Sequence, residues 1–349
     1  MARWRRLTSV AGIATGVVAA GVGGVIAAEK IAVGRIRLRP DPAVGEPFGQ
    51  VPGTPVGVRT GDGVLLSAAV AGPEDAPLAV LFCHGFCLNQ DVWHYQWLSL
   101  RDDFRLVRWD QRGHGRSALG DPRLLSIDQL GADLAAVIAA TVREDQRVVL
   151  VGHSMGGMTI MALADQQPEL FGSKVAGVML ISTAAHEVDA TNWLPGPMRP
   201  TARALGSVLM RGSASGRGAA LTERIRGAGG DLAFLSTRFI AFGDDDVSPT
   251  VVDFLERVIR ATPIEVVASF YLELLEHDKR LALANLGRVP VVVITGARDR
   301  LVPAVQTEAL AAAIPGARLV EVPGAGHAII LEQPDAITQE IIELIKEVR

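Results

Sequence analysis

Gly152-His153-Ser154-Met155-Gly156 is the stretch whose residue types and spacing best suit covalent chemistry. It follows the apolar run Val148–Val151 and precedes a run of helical periodicity, so the pattern is strand, tight turn, helix. Gly-x-Ser-x-Gly in that setting is a nucleophile elbow: glycines permit a strained turn that lifts the serine hydroxyl above the sheet at a helix N-terminus. A serine hydroxyl is a weak nucleophile until a base takes its proton, and the base needs a third group to orient it. Of the seven histidines, His84, His114 and His153 lie in glycine-rich turns that suit structural hydrogen bonding. His94 sits in a helical run, and His186 and His277 fall in or beside a long insertion. His327, in Pro323-Gly-Ala-Gly-His327, follows the last apolar strand and is the expected base. The acid should come between serine and histidine in the chain. Asp299 follows the strand ending at Thr295 and fits, with Asp189 and Glu187 as alternatives. An oxyanion hole needs two backbone N–H groups; Met155, after the nucleophile, and Phe86, in the turn after Leu78–Phe82, are expected to supply them.

The elements that must hold these residues can be traced along the chain. Strands are expected at Val56–Arg59, Leu65–Val70, Leu78–Phe82, Arg105–Trp109, Val148–Val151, Val175–Ile181, Val289–Thr295 and Arg318–Val322. The last six are mostly continuous apolar runs, as in strands covered on both faces. Helical stretches alternate with them at Ile127–Thr141, Met155–Gln166, Val305–Ile314 and Ile337–Val348. The alternation predicts an α/β fold with a mostly parallel, eight-stranded sheet flanked by helices. Residues 184–285 break the rhythm with helical spacing and no good strand, the pattern of a helical cap. Within it, Arg199 to Gly230 holds six arginines and one acid, either a solvated insertion or a basic face toward anionic lipid or substrate.

His84-Gly85, Asp110-Gln-Arg-Gly-His-Gly115-Arg-Ser117, Gly152-His-Ser-Met-Gly-Gly157, Gly296-Ala-Arg-Asp299 and Gly326-His327 occur in that order. Together they resemble the α/β-hydrolase superfamily over roughly residues 55–349. The resemblance implies Ser154 as nucleophile, His327 as base, Asp299 as acid, and an oxyanion hole at Phe86 and Met155. It implies esterase-, lipase-, thioesterase-, acyltransferase- or perhydrolase-type chemistry. Haloalkane dehalogenases and epoxide hydrolases of this fold carry an aspartate at the elbow, so Ser154 argues against both.

Composition narrows the rest. With 34 basic and 38 acidic residues among 349, no global field favours nucleic acid. Cys83 and Cys87 bracket the oxyanion turn and are expected as small buried fillers rather than a disulfide. No metal or cofactor is expected, since neither a ligand spacing nor a phosphate-binding loop is present. Leu7 to Ala28 runs 22 residues without a charge, long enough at ~1.5 Å per residue to cross a hydrocarbon core of ~30 Å. Residues 1–40 are therefore expected to anchor the chain in a membrane, or to act as a signal cleaved after Val25-Ile26-Ala27, which would make the protein secreted. Residues 41–54, between Pro40 and Pro55, suggest a linker to the hydrolase domain at 55–349. The expected activity is hydrolysis of medium-chain or lipophilic carboxylic esters through an acyl-enzyme. The rivals are acyl transfer or perhydrolysis on the same residues, and an inactive membrane-associated binding protein. Trp193, Leu194, Phe234, Phe239, Phe242, Phe270 and Tyr271 are expected either to line an acyl pocket or to form the cap's own core.

Overall fold

The computed structural model describes residues 30–189, 191, 194, 196–213 and 230–349. The expected anchor at 7–28, Trp193 and much of the arginine-rich stretch therefore lie outside the described residues. Among those that are described, no helix is long and apolar enough to cross a membrane.

Eight strands are present: β1 (Thr54–Arg59), β2 (Leu65–Ala71), β3 (Leu78–Cys83), β4 (Arg105–Trp109), β5 (Arg147–His153), β6 (Val175–Ile181), β7 (Val291–Gly296) and β8 (Arg318–Val322). They form one sheet in the order β1-β2-β4-β3-β5-β6-β7-β8. β1 and β2, and β2 and β4, pair antiparallel; every other neighbouring pair is parallel. Alternate residues face opposite layers, as a period of two demands. Val80, Phe82, Val149, Val151, Met179 and Ile181 point to one core, with Trp93, Trp97 and Leu344. Ala79, Leu81, Val148, Leu150, Val178 and Leu180 point to the other, with Leu134, Ile138 and Leu163. The continuous apolar runs are thus strands buried on both sides. β8 departs from that expectation: it is a sheet edge, and its residues are exposed or half-buried.

The flanking helices are α1 (His94–Leu100), α2 (Ile127–Thr141), α3 (Met155–Gln166), α9 (Ala304–Ala313), α10 (Ile329–Glu332) and α11 (Pro334–Val348). Between β6 and β7 the chain leaves the sheet and runs through α4 (Arg199–Ser213), α5 (Gly230–Ala241), α6 (Pro249–Ala261), α7 (Ile264–Glu276) and α8 (Leu283–Leu286). This is the helical cap.

The chain order reverses at β3, which lies between β4 and β5. In an open α/β sheet such a switch point leaves a crevice at the carboxyl ends of the strands, between connections that diverge to opposite faces. The turn after β3 and the turn after β5 meet there.

Residues 40–54 have little regular structure until β1 begins, as their proline and glycine content suggests, yet they are not free of the domain. Phe48 and Val51 are buried, with the Phe48 ring 4.5 Å from Phe254 and 4.4 Å from His94. Residues 30–37 are helical and set Arg37 against both Asp253 and the Phe234 ring. The stretch from 30 to 51 is a strap laid across α1, α5 and α6. Composition reports the absence of helix and strand; it does not report a partner hundreds of residues away.

Candidate active site

Ser154 sits between β5 and α3 with φ 52° and ψ −120°, a left-handed conformation that costs a non-glycine residue about 1–3 kcal/mol. Surrounding backbone contacts hold it there. Its N–H donates to the Ile181 carbonyl at 2.9 Å, and its carbonyl accepts from the Thr183 hydroxyl at 2.8 Å. The flanking glycines are steric necessities: a Cβ on Gly156 would lie 2.1 Å from the Cys83 carbonyl oxygen, and one on Gly152 would lie 2.6 Å from that of Gly156. Ser182, after β6, and Cys87, after β3, are the other described non-glycine residues with positive φ. All three stand at the same edge of the sheet.

His327 lies in the loop after β8. Its Nδ1 is 2.8 Å from Asp299 Oδ2, and the other carboxylate oxygen accepts the N–H groups of Leu301 and Val302 at 2.8 and 2.9 Å. A carboxylate that only accepts requires the proton on Nδ1, which leaves Nε2 with a free lone pair. Ser154, His153 and His327 all line one cavity of about 120 Å³, together with Gly85, Phe86 and Ala328. The cavity is otherwise aliphatic: Leu88, Met158, Val188, Leu255, Ile259 and Leu274 contribute, and Tyr271 adds the edge of one phenol. Of the described cap residues expected to line an acyl pocket, only Tyr271 does so. Phe234, Phe242 and Phe270 are buried in hydrophobic clusters, Phe239 stacks under Arg300, and Leu194 is off the cavity. Other partners claim them: the Phe270 ring lies 5.5 Å from the His114 ring beneath the cap, and Phe239 stays half-exposed.

Asp189 and Glu187, the alternative acids, are engaged elsewhere. Asp189 accepts from the backbone N–H and hydroxyl of Thr191 at 2.8 and 2.7 Å, and Glu187 pairs with Arg203 at 3.2 Å.

Among the described residues, no acceptor takes the N–H of Phe86 or Met155. Both donors stand beside Ser154, and Met155 opens α3, where the helix dipole adds to the local field. The turn carrying Phe86 is braced by the Asp110–Ser117 motif. The Gln111 N–H donates to His84 Nε2 at 2.9 Å, and the Cys87 N–H donates to His114 Nε2 at 3.3 Å. Asp110 accepts from the Gln90 N–H at 2.7 Å, while Arg112 grips Asp133 through two 2.6 Å contacts. Burial drives His84 down to about 4 and His114 down to about 3, so both rings stay neutral and can accept. His153 is pushed down to about 3 by burial, with the nearby His327 adding to it. Its Nε2–H donates to the His327 carbonyl at 2.8 Å and tethers the loop of His327 to the elbow. Cys83 and Cys87 are buried, and burial pushes the Cys83 thiol up to about 12. That tether was not legible as such in the sequence, where His153 only suggested structural bonding. Glu332, whose carboxylate accepts the Gly326 N–H, carries no such signal either: a glutamate on a short apolar helix does not disclose its partners.

Comparison with known proteins agrees with this geometry. The sequence profile of the Alpha/beta hydrolase family matches residues 80–340. The 3-oxoadipate enol-lactonase 2 of Acinetobacter baylyi is 28% identical over 82% of this chain and 95% of its own length. The pimeloyl-[acyl-carrier protein] methyl ester esterase of Nitrosomonas europaea is 28% identical over 73% of this chain and 91% of its own. Among solved structures, a thermophilic esterase from Thermogutta terrifontis superposes with a TM-score of 0.65 at 25% identity, covering 84% of this chain and 98% of that one. Sheet order, elbow geometry and a profile match over most of the chain converge, and the protein belongs to the α/β-hydrolase family.

Proposed function

We propose that this protein is a carboxylic ester hydrolase in which Ser154 is the nucleophile, His327 the general base and Asp299 its orienting acid. The observation that carries the reading is the 2.8 Å contact between His327 Nδ1 and Asp299, with His327 and Ser154 lining one cavity. The similar proteins named above are an enol-lactonase and two esterases, and lactones and methyl esters are both carboxylic esters.

His327 Nε2 takes the Oγ proton as Ser154 attacks the ester carbonyl. Negative charge gathers on the carbonyl oxygen, facing the N–H groups of Phe86 and Met155; losing one such donor typically costs ~2.7–4 kcal/mol. The imidazolium then gives its proton to the departing alkoxide, leaving an acyl-serine and a free alcohol. Water, deprotonated by the same imidazole, attacks the acyl-serine and releases the acid.

The aliphatic lining favours an acyl group without charge, of short to medium length. Residues 7–28 act as a membrane anchor in this reading, with the hydrolase domain and its cap beyond the strap. Fractionating cells that express the full chain tests the anchor: recovery wholly in the soluble fraction refutes it. The decisive experiment for the chemistry is labelling with a fluorophosphonate. The full chain should be labelled and Ser154→Ala should not; equal labelling of both would refute the mechanism.

A further inference from the structure

Glu332 ends α10, five residues beyond His327, and its carboxylate turns back toward the loop that carries the histidine. Oε2 accepts the Gly326 N–H at 2.6 Å, from the residue directly before His327. Oε1 accepts the Gly243 N–H at 2.9 Å and the Asp244 N–H at 2.5 Å, where the cap leaves α5. Three backbone donors from two distant segments therefore converge on one carboxylate. Among the described residues no lysine or arginine pairs with it, so its whole engagement is with the main chain. The two segments touch along their backbones: a Cβ on Gly326 would lie 2.4 Å from the Gly243 nitrogen, and one on Gly243 would lie 2.4 Å from the Gly324 oxygen. The Ala328 N–H donates to the Ala241 carbonyl at 2.7 Å and Arg298 donates to the Gly243 carbonyl at 3.1 Å, so the base loop, the acid loop and the α5–α6 connection meet around this group.

We infer that Glu332 is a positioning residue for the base: its carboxylate clamps the His327 loop and the end of α5 in one register, which keeps His327 Nε2 aimed at Ser154. The inference rests on His327 being the base. His327 has other restraints, Asp299 on Nδ1 and His153 on its backbone carbonyl, and the Ala328 N–H ties the loop to Ala241 on one side of the histidine; Glu332 adds the bond on the other side, at Gly326. Burial raises the Glu332 carboxyl above its ordinary range even though three N–H groups favour the anion, so the clamp is built against a desolvation cost. A misplacement of about 1 Å at a reacting group costs on the order of 100-fold in rate.

The test uses the full chain, p-nitrophenyl butyrate and a fluorophosphonate. Glu332→Gln keeps the shape but sets an amide N–H against at least one of the three donors. It should lower kcat by about 10- to 100-fold with KM within about three-fold, slow fluorophosphonate labelling in proportion, and shift the downfield proton resonance of the His327–Asp299 hydrogen bond. Glu332→Asp retains the charge with a shorter reach and should fall between wild type and Glu332→Gln, which keeps the question answerable if Glu332→Gln does not fold. Labelling and kcat at wild-type values in a folded variant overturn the inference. A loss confined to KM also overturns it, because the carboxylate would then shape the pocket and not the base. A wild-type chain that is not labelled at Ser154 fails earlier, at the triad itself, and is recognised by that first control.

Discussion

Beneath Ser154 the backbone leaves no room: a Cβ on Gly156 would fall 2.1 Å from a carbonyl oxygen of the neighbouring turn. In the cap, a Cβ on Gly206 of α4 would come no nearer than 3.1 Å, and then to the tip of the Tyr271 side chain. The floor of the site is fixed by main-chain contact, buried neutral histidines and strands paired on both sides. Away from the backbone contact between Gly243 and Gly326, the roof is held by side chains: Arg37 on Asp253, Phe48 on Phe254, and Asp41 on the start of α6. A main-chain contact cannot be relaxed by choosing another rotamer, whereas a side-chain contact can. Substitutions in the floor should therefore act on catalysis as a whole, and those in the roof on substrate choice and modest increments of stability.

The largest effects test the floor. Ser154→Ala, His327→Ala and Asp299→Asn should each lower ester hydrolysis by about 10⁴-fold or more, and combinations should be no worse than the worst single change, because the three act as a unit. Kinetics on p-nitrophenyl butyrate give the answer. Full activity in Asp299→Asn would hand the acid role to another carboxylate. Gly156→Ala comes next. Its methyl group cannot avoid the Cys83 carbonyl without moving β3 away from α3, so kcat should fall by about 100-fold, or soluble protein should be lost. Gly206→Ala, the matched change in the roof, should leave kcat within about two-fold of wild type. Equal losses in the two variants would erase the contrast.

The floor also has a pH signature. Burial holds His84 down to about 4, and His114 and His153 down to about 3. An unfolded chain takes up these protons near the ordinary histidine value, while the folded one does not until much lower pH. Stability from this source is thus complete above about pH 6.5 and drains away as pH falls toward the folded values. Each histidine should remove about 1 kcal/mol between about pH 6.5 and 5.5. Urea denaturation midpoints at those two pH values measure it. A midpoint that is flat across the interval would mean that these rings are not held neutral.

How much of this the sequence discloses follows the same division. β4, β6, β8, α2 and α3 have the bounds that the pattern of apolar residues predicts; β6 shows why most plainly, because a strand buried on both faces needs an unbroken apolar run whatever its partner is. Ser154, His327 and Asp299 stand where glycine turns and strand ends point, since those signals are local. β7 starts at Val291 rather than Val289, after Pro290, whose ring nitrogen has no N–H to offer the ladder. The roof is less legible. Phe48 on Phe254 and Glu332 on Gly243 are contacts between residues far apart in the chain, and neither residue carries a mark of its partner. The aromatic residues of the cap fit two arrangements equally well by sequence, and distant partners decide between them, as His114 does for Phe270 and Arg300 for Phe239.

Substrate choice is the next smaller effect and belongs to the roof. Each methylene accommodated against Leu255, Ile259 and Leu274 should contribute ~0.8 kcal/mol, so kcat/KM should rise from acetyl to hexanoyl esters by up to about 200-fold. Ile259→Ala should flatten that rise more than Phe270→Ala, since Phe270 is off the cavity. A panel of p-nitrophenyl esters decides it, and a decline beyond acetyl would assign the cavity to small esters only.

The smallest predicted effect concerns how the roof is fastened. α6 begins at Pro249, with no N–H at its first position, and Ser248 before it makes no capping bond of its own. Asp41 of the strap does the capping instead: Oδ2 accepts the Thr250 N–H at 3.0 Å and the Thr250 hydroxyl at 2.7 Å, and Oδ1 takes the Ser248 hydroxyl. A carboxylate at that end also complements the helix dipole. α6 carries Leu255 and Ile259 into the cavity wall, so the strap reaches the pocket through one helix. Asp41→Ala should cost about 1 kcal/mol, the usual value of a lost N-cap, and lower Tm by about 2 °C. The kinetic consequence should be a rise of about two- to three-fold in KM for hexanoyl esters, with kcat and the acetyl rate unchanged, because α6 loosens while Ser154, His327 and Asp299 stay in place. Thermal unfolding and the two-ester comparison test it together. A fall in kcat on both esters would mean that floor and roof are not mechanically separate, and that the strap governs the base as well as the pocket.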